Sequence, residues 1–124
     1  MQERGGHVVH ASALDGMKKF EDNFFDGVIM RSYLEHEAQP REVLEACYDK
    51  LKPGGGIYVK VPNFDTINRL VRGIKWCGFR FPDHLNYFGI KTLKNLAERE
   101  NYKFSIINNM TRFTNDNVHC FLSK

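Results

Sequence analysis

No apolar run in this 124-residue sequence approaches the ~20 residues of a membrane span. The first residues also lack the apolar core of a secretory signal, so we expect a cytoplasmic protein without a membrane partner. The three cysteines, Cys47, Cys77 and Cys120, form no Cys-x-x-Cys pair and show no spacing typical of a metal site. We therefore predict reduced thiols and no metal.

Two signatures of anionic ligands are also missing. Residues 54–56 are consecutive glycines, but they follow a predicted helix, and the Gly-Lys-Ser/Thr pattern of a phosphate-binding loop is absent, so they are interpreted as a turn. The net charge is only +3, and the basic residues of the second half mostly fall where predicted helices would face water. We predict no specific nucleic-acid partner.

The composition that is present favours a folded chain. Apolar residues make up 42% of the sequence and phenylalanine occurs 10 times, which argues against disorder. A domain of this length buries roughly two-thirds of its unfolded surface, enough for one modest core. We therefore predict a single domain over residues 1–124.

The first half has the pattern of a strand–helix–strand unit. Residues 25–30 are apolar and β-branched at their centre and are too short for a helix, which predicts a buried parallel strand. Pro40 fits the first turn of a helix that runs to about Leu51. Residues 57–61 form the next predicted strand, which Pro62 ends. Residues 7–11 are a further candidate strand.

The second half predicts two helices and a hairpin. One helix follows Asp65, a candidate N-cap, and carries apolar residues at helical spacing through Ile74. Another covers residues 92–100 and ends at Asn101, which tolerates the left-handed conformation. Strands over residues 103–108 and 118–122 flank turn residues, which implies an antiparallel hairpin and completes an α/β pattern.

Four sequence blocks occur in a fixed order. They are Phe25-Asp26 opening a strand, Leu34-Glu35-His36 after it, Leu51-Lys52-Pro53-Gly54-Gly55, and the 82–88 segment Pro-Asp-His-Leu-Asn-Tyr-Phe. In this order they resemble the C-terminal half or so of a class I S-adenosylmethionine-dependent methyltransferase. The resemblance implies a partial Rossmann-like sheet, mostly parallel with a C-terminal antiparallel hairpin, and helices on both faces.

The same resemblance implies the cofactor and its contacts. S-Adenosylmethionine would place its adenine near Ser12 and Ala13, and its methionine part beside Arg31, Ser32 and Tyr33. The family usually has a Gly-Asp-Ala-type triplet near the adenine. Here the serine replaces the acidic residue, so a weaker hydrogen-bond acceptor faces the adenine amino group.

The catalytic candidates are His36, then His84, with Glu35 orienting its neighbour. Histidine titrates near neutrality and can remove a proton from a small-molecule acceptor during methyl transfer. The alternative is that these histidines only cap or pack and that Glu35 simply faces solvent. A set of nearby aromatic residues has two interpretations, an apolar cover over the acceptor or ordinary core packing: Trp76, Phe79, Phe81, Tyr87 and Phe88.

The family's glycine-rich cofactor loop is absent from this sequence. One interpretation is an enzyme whose first half is missing from this chain, which alone would be inactive. The other is a non-catalytic half-domain that acts as a binding or assembly module. Both leave the edge of the 25–30 strand unpaired, which predicts a homodimer, a partner chain, or residues 7–11 folding over that edge.

Overall fold

The fold is built on a four-stranded sheet with the order β1-β2-β4-β3. The computed structural model describes residues 6–107 and 113–124. The elements are α1 (Ala13–Met17), β1 (Phe25–Arg31), α2 (Pro40–Lys50), β2 (Leu51–Pro62), α3 (Ile67–Arg72), α4 (Ile90–Arg99), β3 (Lys103–Ile106) and β4 (Asn117–Ser123), with short 3₁₀ turns at Leu34–His36 and Gly73–Lys75. β1 and β2 are parallel, and β4 is antiparallel to both β2 and β3. Three strands therefore run one way and β4 runs the other, which confirms the predicted partial Rossmann-like α/β fold.

One face of the sheet carries the core. Alternate residues of β2 and β4, including Ile57, Val59 and Leu122, are buried together with Leu44 of α2 and Leu93 of α4. Helix α2 has Pro40 in its first turn, as predicted, where the missing N–H needs no partner. Because successive side chains of a strand point to opposite faces of the sheet, every second side chain of β2 and β4 lies in the layer that the helices cover.

The opposite face of the sheet is open among the described residues. Ile29 of β1 is 76% exposed and Phe121 of β4 is 40% exposed, although both are large and apolar. The resemblance implied helices on both faces, but the helices with buried residues, α2 and α4, both pack into the core described above. β1 also forms an edge of the sheet, since within the described ranges it pairs only with β2.

The predicted strand over residues 7–11 is wrong. Its residues have no strand conformation and, as far as the structure describes them, do not pair with the free edge of β1. The segment is mostly exposed and leads into α1, where the side chain of Ser12 accepts a hydrogen bond from the Asp15 N–H. Helix capping at Ser12 therefore sets the local path of this segment.

The glycine run is part of a strand instead of a turn between elements. β2 begins at Leu51, and its register with β1 shifts between the pairs Phe25–Leu51 and Gly27–Gly56. The intervening residues bulge out of the ladder, with Gly54 at a φ of +80°. A Cβ on Gly56 would lie 2.6 Å from the Leu122 carbonyl oxygen, so only glycine fits this approach to β4.

The capping prediction at Asp65 is also wrong. Thr66 is the N-cap of α3, and its hydroxyl accepts a hydrogen bond from the Asn68 N–H. The Asp65 carboxylate instead accepts the Ile90 N–H at the start of α4, at 2.9 Å. The apolar residues of the predicted helix, Ile67, Leu70, Val71 and Ile74, are exposed. The helical spacing of the apolar residues therefore predicted helix α3 correctly, but it did not predict that these residues are exposed.

The C-terminal hairpin is confirmed. β3 and β4 are antiparallel, and Asn101 adopts a φ of +66° after α4. Helix α4 begins two residues before the predicted start. The predicted end of the first hairpin strand, residue 108, lies outside the described residues.

The cysteines are free thiols, as predicted. Burial raises the pKa of both Cys47 and Cys120 to about 12, whereas Cys77 is exposed. Since the thiolate is the reactive form, we expect one thiol of the three to react rapidly with an aromatic disulfide reagent in the native protein, and all three after denaturation. Fast reaction of a second thiol under native conditions would contradict the burial of these side chains.

Candidate functional site

The site begins where β1 ends. Ser32 follows the strand with a φ of +51°, a left-handed conformation that is unusual for a residue other than glycine. Its N–H donates to the Lys60 carbonyl at 3.0 Å, which continues the parallel ladder by one bond. The chain then turns into the 3₁₀ segment that contains Glu35 and His36. Such backbone strain is often found at functional sites.

Long-range hydrogen bonds bring His84 to the 3₁₀ turn. The N–H groups of Leu85 and Asn86 both donate to the Glu35 carbonyl, at 2.8 and 3.0 Å. The Asn86 side-chain amide donates to the carbonyls of Leu34 and Glu37. The 84–86 segment is therefore fixed against the turn by main-chain contacts, and His84 must lie beside it.

Both histidine rings are oriented by backbone carbonyls. The Nδ1 atom of His36 lies 2.8 Å from the Asp83 carbonyl oxygen, and that of His84 lies 2.8 Å from the Gly78 carbonyl oxygen. A carbonyl only accepts, so each Nδ1 carries the hydrogen. In the neutral rings Nε2 therefore keeps its lone pair. The two rings meet edge to face, with centroids 4.7 Å apart.

Glu35 completes the group. Its side chain is 2% exposed and its Oε1 lies 3.9 Å from His36 Nε2, while its Oε2 has no hydrogen-bond partner among the described residues. A buried carboxylate oxygen without a partner costs free energy and calls for an explanation. We call Glu35, His36 and His84 the acid–histidine cluster.

The acid–histidine cluster lines a cavity of about 180 Å³. The other lining residues are Ser32, Pro62, Cys77, Gly78, Arg80 and Asn117. The last five were not predicted from the sequence to be site residues. Gly78 could have been found in the glycine- and aromatic-rich segment 73–82, but its role depends on its carbonyl, which carries no sequence signal.

The predicted cofactor residues are only partly brought together. Ser32 lines the cavity, whereas Arg31, Tyr33, Ser12 and Ala13 are not among the lining residues. The Tyr33 hydroxyl donates to the Glu37 carboxylate, and burial together with this bond raises the pKa of Tyr33. The Ser12 hydroxyl is bonded to the Asp15 side chain at 2.9 Å.

The aromatic set divides between packing and exposure. Trp76 and Phe88 are buried, which supports ordinary packing for these two, and Phe81 is 91% exposed. Phe79 and Tyr87 contact each other and Phe64, with ring centroids 5.4 to 6.2 Å apart. The set does not form a single cover over the cavity.

A second, wider cavity of about 380 Å³ lies beside α4. It is lined by Asp65, Ile90, Lys91, Lys94 and Phe113. The Asp65 carboxylate of this cavity already accepts a hydrogen bond from the Ile90 N–H at the start of α4. Among the described residues that line the cavity there is no histidine or cysteine. The smaller cavity is therefore the candidate active site.

A family model described as a methyltransferase domain matches residues 3–105. This chain belongs to the methyltransferase domain family. A curated relative, the ubiquinone biosynthesis O-methyltransferase of Shewanella sp. (strain ANA-3), is 39% identical over 49 residues, which are 40% of this chain. That match spans only 19% of the relative's length.

Solved methyltransferases share the fold of this methyltransferase domain. A SAM-dependent methyltransferase from Archaeoglobus fulgidus is 20% identical with a TM-score of 0.78, covering 98% of this chain and 69% of that one. A methyltransferase from Burkholderia thailandensis with bound S-adenosylhomocysteine is 14% identical with a TM-score of 0.58, covering 83% of this chain and 45% of that one. None of the described helices has the length and apolar composition needed to cross a membrane.

Proposed function

We propose that this methyltransferase domain transfers a methyl group from S-adenosylmethionine to a hydroxyl group of a small-molecule acceptor. The observation that carries the proposal is the acid–histidine cluster on a cavity that also borders Ser32 at the end of β1. Ligands of open α/β sheets bind beyond the carboxyl ends of the strands. The partial match to an O-methyltransferase supports an oxygen acceptor.

His36 is the proposed base. When bound, the cofactor supplies an electrophilic methyl group, and the protein mainly aligns the acceptor with it. The hydrogen bond between Nδ1 and the Asp83 carbonyl leaves His36 Nε2 free to accept the acceptor's proton. The nearby Glu35 carboxylate, 3.9 Å from Nε2, would stabilise the charged ring, and His84 would orient the acceptor.

The cavity fits the reacting end of the cofactor but not the whole molecule. Ligand pockets for drug-sized molecules have volumes of roughly 300–1,000 Å³, and this cavity has about 180 Å³. The rest of the cofactor would lie beyond the carboxyl end of β1, near Arg31, Ser32 and Tyr33, with its adenine toward Ser12 and Ala13.

We propose that the 124 residues alone are inactive and that a second chain completes the cofactor site. The family's glycine-rich loop is absent, and β1 presents a free edge and the exposed Ile29. Unpaired strand edges favour pairing with another chain. The second copy or partner chain would lie on this edge. The same features also support the alternative role, a non-catalytic assembly module.

A calorimetric titration with S-adenosylmethionine tests both roles. We expect saturable binding only at protein concentrations where sedimentation shows self-association. Ile29→Lys should remove both association and cofactor binding, because it places a charge on the exposed surface of β1. The matched control is Ile74→Lys, since Ile74 is also exposed but lies outside the sheet.

The outcomes separate the proposals. Cofactor binding by a monomer would show that no second chain is needed. A folded oligomer that binds no cofactor would contradict the methyltransferase proposal and favour the assembly module. A monomer that binds no cofactor would contradict completion by a second copy and leave a different partner chain as the requirement.

A further inference from the structure

We propose that Glu35, His36 and His84 bind a divalent transition-metal ion of the zinc type. One potential ligand atom from each residue lies within 4.8 Å of the others. Two imidazoles and one carboxylate are a ligand set that binds zinc at catalytic sites. The sequence indicated no metal because His84 is 48 positions from His36 along the chain. The contacts of the 84–86 segment with the 3₁₀ turn bring His84 close to Glu35 and His36.

Both imidazoles already make the hydrogen bond that histidine ligands of metal ions make through their second ring nitrogen. In metal sites a ligating histidine donates its other ring N–H to a carbonyl or carboxylate, which fixes the ring and the tautomer. Here the carbonyls of Asp83 and Gly78 take that role for His36 and His84, each at 2.8 Å. In this tautomer each Nε2 keeps its lone pair and can bind a metal ion without a change of tautomer.

Glu35 provides a second and independent indication. Its side chain is buried, and within the described parts of the chain its Oε2 has no hydrogen-bond partner. His36 Nε2, at 3.9 Å from Oε1, is too distant for a hydrogen bond. A cation bound between the carboxylate and the rings would compensate the buried charge.

Only a small adjustment is needed. Zinc–ligand distances of about 2.0–2.1 Å place tetrahedral ligand atoms about 3.4 Å apart. No two ligand atoms of the cluster are more than 4.8 Å apart, so each pair would have to close by about 1.4 Å at most. The backbone of the 3₁₀ turn and the 84–86 segment are already hydrogen-bonded together, so the closure would come mainly from the Glu35 side chain, while the two rings keep their Nδ1 hydrogen bonds.

The metal would have a coordination position open to the cavity. Three protein ligands leave a fourth tetrahedral position, as in catalytic zinc sites. There the ion would hold the acceptor's hydroxyl oxygen and lower its pKa, so that the hydroxyl would lose its proton to solvent water, and His36 would act as a ligand instead of as the base. This use of the ion rests on the proposed function, but its binding does not.

The test is a calorimetric titration of zinc chloride into chelator-treated, metal-free protein at neutral pH, without cofactor or acceptor. Cys77 also lines the cavity and its thiol can bind zinc, so the titration uses the Cys77→Ser background. We expect one zinc per chain. Glu35→Gln and His84→Ala should each weaken binding more than about tenfold, the lower end of the loss seen for altered metal-site contacts. The matched control is His10→Ala, because His10 is exposed and lies outside the cavity lining.

Cobalt(II) gives a second measurement that does not depend on activity. We expect visible absorption typical of a tetrahedral cobalt site, displaced by zinc and absent in folded Glu35→Gln and His84→Ala. Folding of each variant is checked by circular dichroism. Absence of zinc and cobalt binding by the folded protein would overturn the proposal, as would binding unchanged in both cluster variants. Either result leaves His36 as a metal-free base, so failure of the metal site is distinct from failure of the methyltransferase proposal.

Discussion

Replacing Trp76 by alanine is expected to lower the free energy of unfolding by about 3–5 kcal/mol, the range for large aromatic-to-alanine changes in protein cores. Trp76 is 1% exposed, and its Nε1 donates a hydrogen bond to the Asp116 carboxylate at 3.0 Å. Its ring meets Phe79 edge to face at a centroid distance of 5.4 Å. The substitution would therefore leave a cavity and remove one hydrogen bond from the Asp116 carboxylate, which keeps its bond from the Asn68 side-chain amide at 3.1 Å.

The loss is large because domains of this kind have a total stability of only about 5–15 kcal/mol. Urea denaturation followed by circular dichroism measures it, since the variant has no tryptophan left for fluorescence. Phe81→Ala is the matched control: Phe81 comes from the same segment but is 91% exposed, so a change within about 0.5 kcal/mol is expected. A loss below about 1 kcal/mol for Trp76→Ala would contradict the packing described above.

Local patterns predicted the framework of the fold. β1, α2 and the C-terminal hairpin follow from short apolar runs, a proline in the first helical turn and turn residues between strands. These signals arise within about ten residues, so no distant contact is needed to interpret them. The cap of α3 was missed because Asp65 and Thr66 are both good caps, and a distant partner, the Ile90 N–H, takes the Asp65 carboxylate.

The burial of α3 could not be predicted from the sequence alone. Its apolar spacing is that of a core helix, yet Leu70 and Val71 are exposed. The same holds for Ile29 on the open face of the sheet. Periodicity shows which residues share a face, but a face is buried only if another element covers it, and no covering element occurs among the described residues.

The sequence predicted the three residues of the acid–histidine cluster, but not that they lie next to one another. Glu35 and His36 were identified within one motif, and His84 within another. What joins them is a set of main-chain hydrogen bonds from Leu85 and Asn86 to Glu35, and main-chain groups are the same in every sequence. Gly78 acts in the same way, since its carbonyl orients His84. The pairing of the motifs therefore required the three-dimensional structure.

The metal-free protein is expected to become more stable when Glu35 is replaced by methionine, by about 1–3 kcal/mol. Glu35 Oε2 is buried and has no hydrogen-bond partner in the part of the chain that the structure describes, so the fold carries the desolvation cost of this oxygen. Methionine is unbranched and of similar length, and it keeps the main-chain carbonyl that binds Leu85 and Asn86. Urea denaturation of chelator-treated protein at neutral pH measures the change.

Glu45→Met is the matched control, because Glu45 lies on the exposed side of α2. Glutamate and methionine also have similar helix propensity, so the substitution itself should not disturb the helix. We expect its stability to stay within about 0.5 kcal/mol of the parent protein. Adding zinc should stabilise the parent protein but not Glu35→Met, since ligand binding to the native state alone raises stability. A gain in stability that is accompanied by loss of the zinc effect would show that Glu35 is kept for function at a cost to the fold. Destabilisation by Glu35→Met would instead assign the carboxylate a structural role.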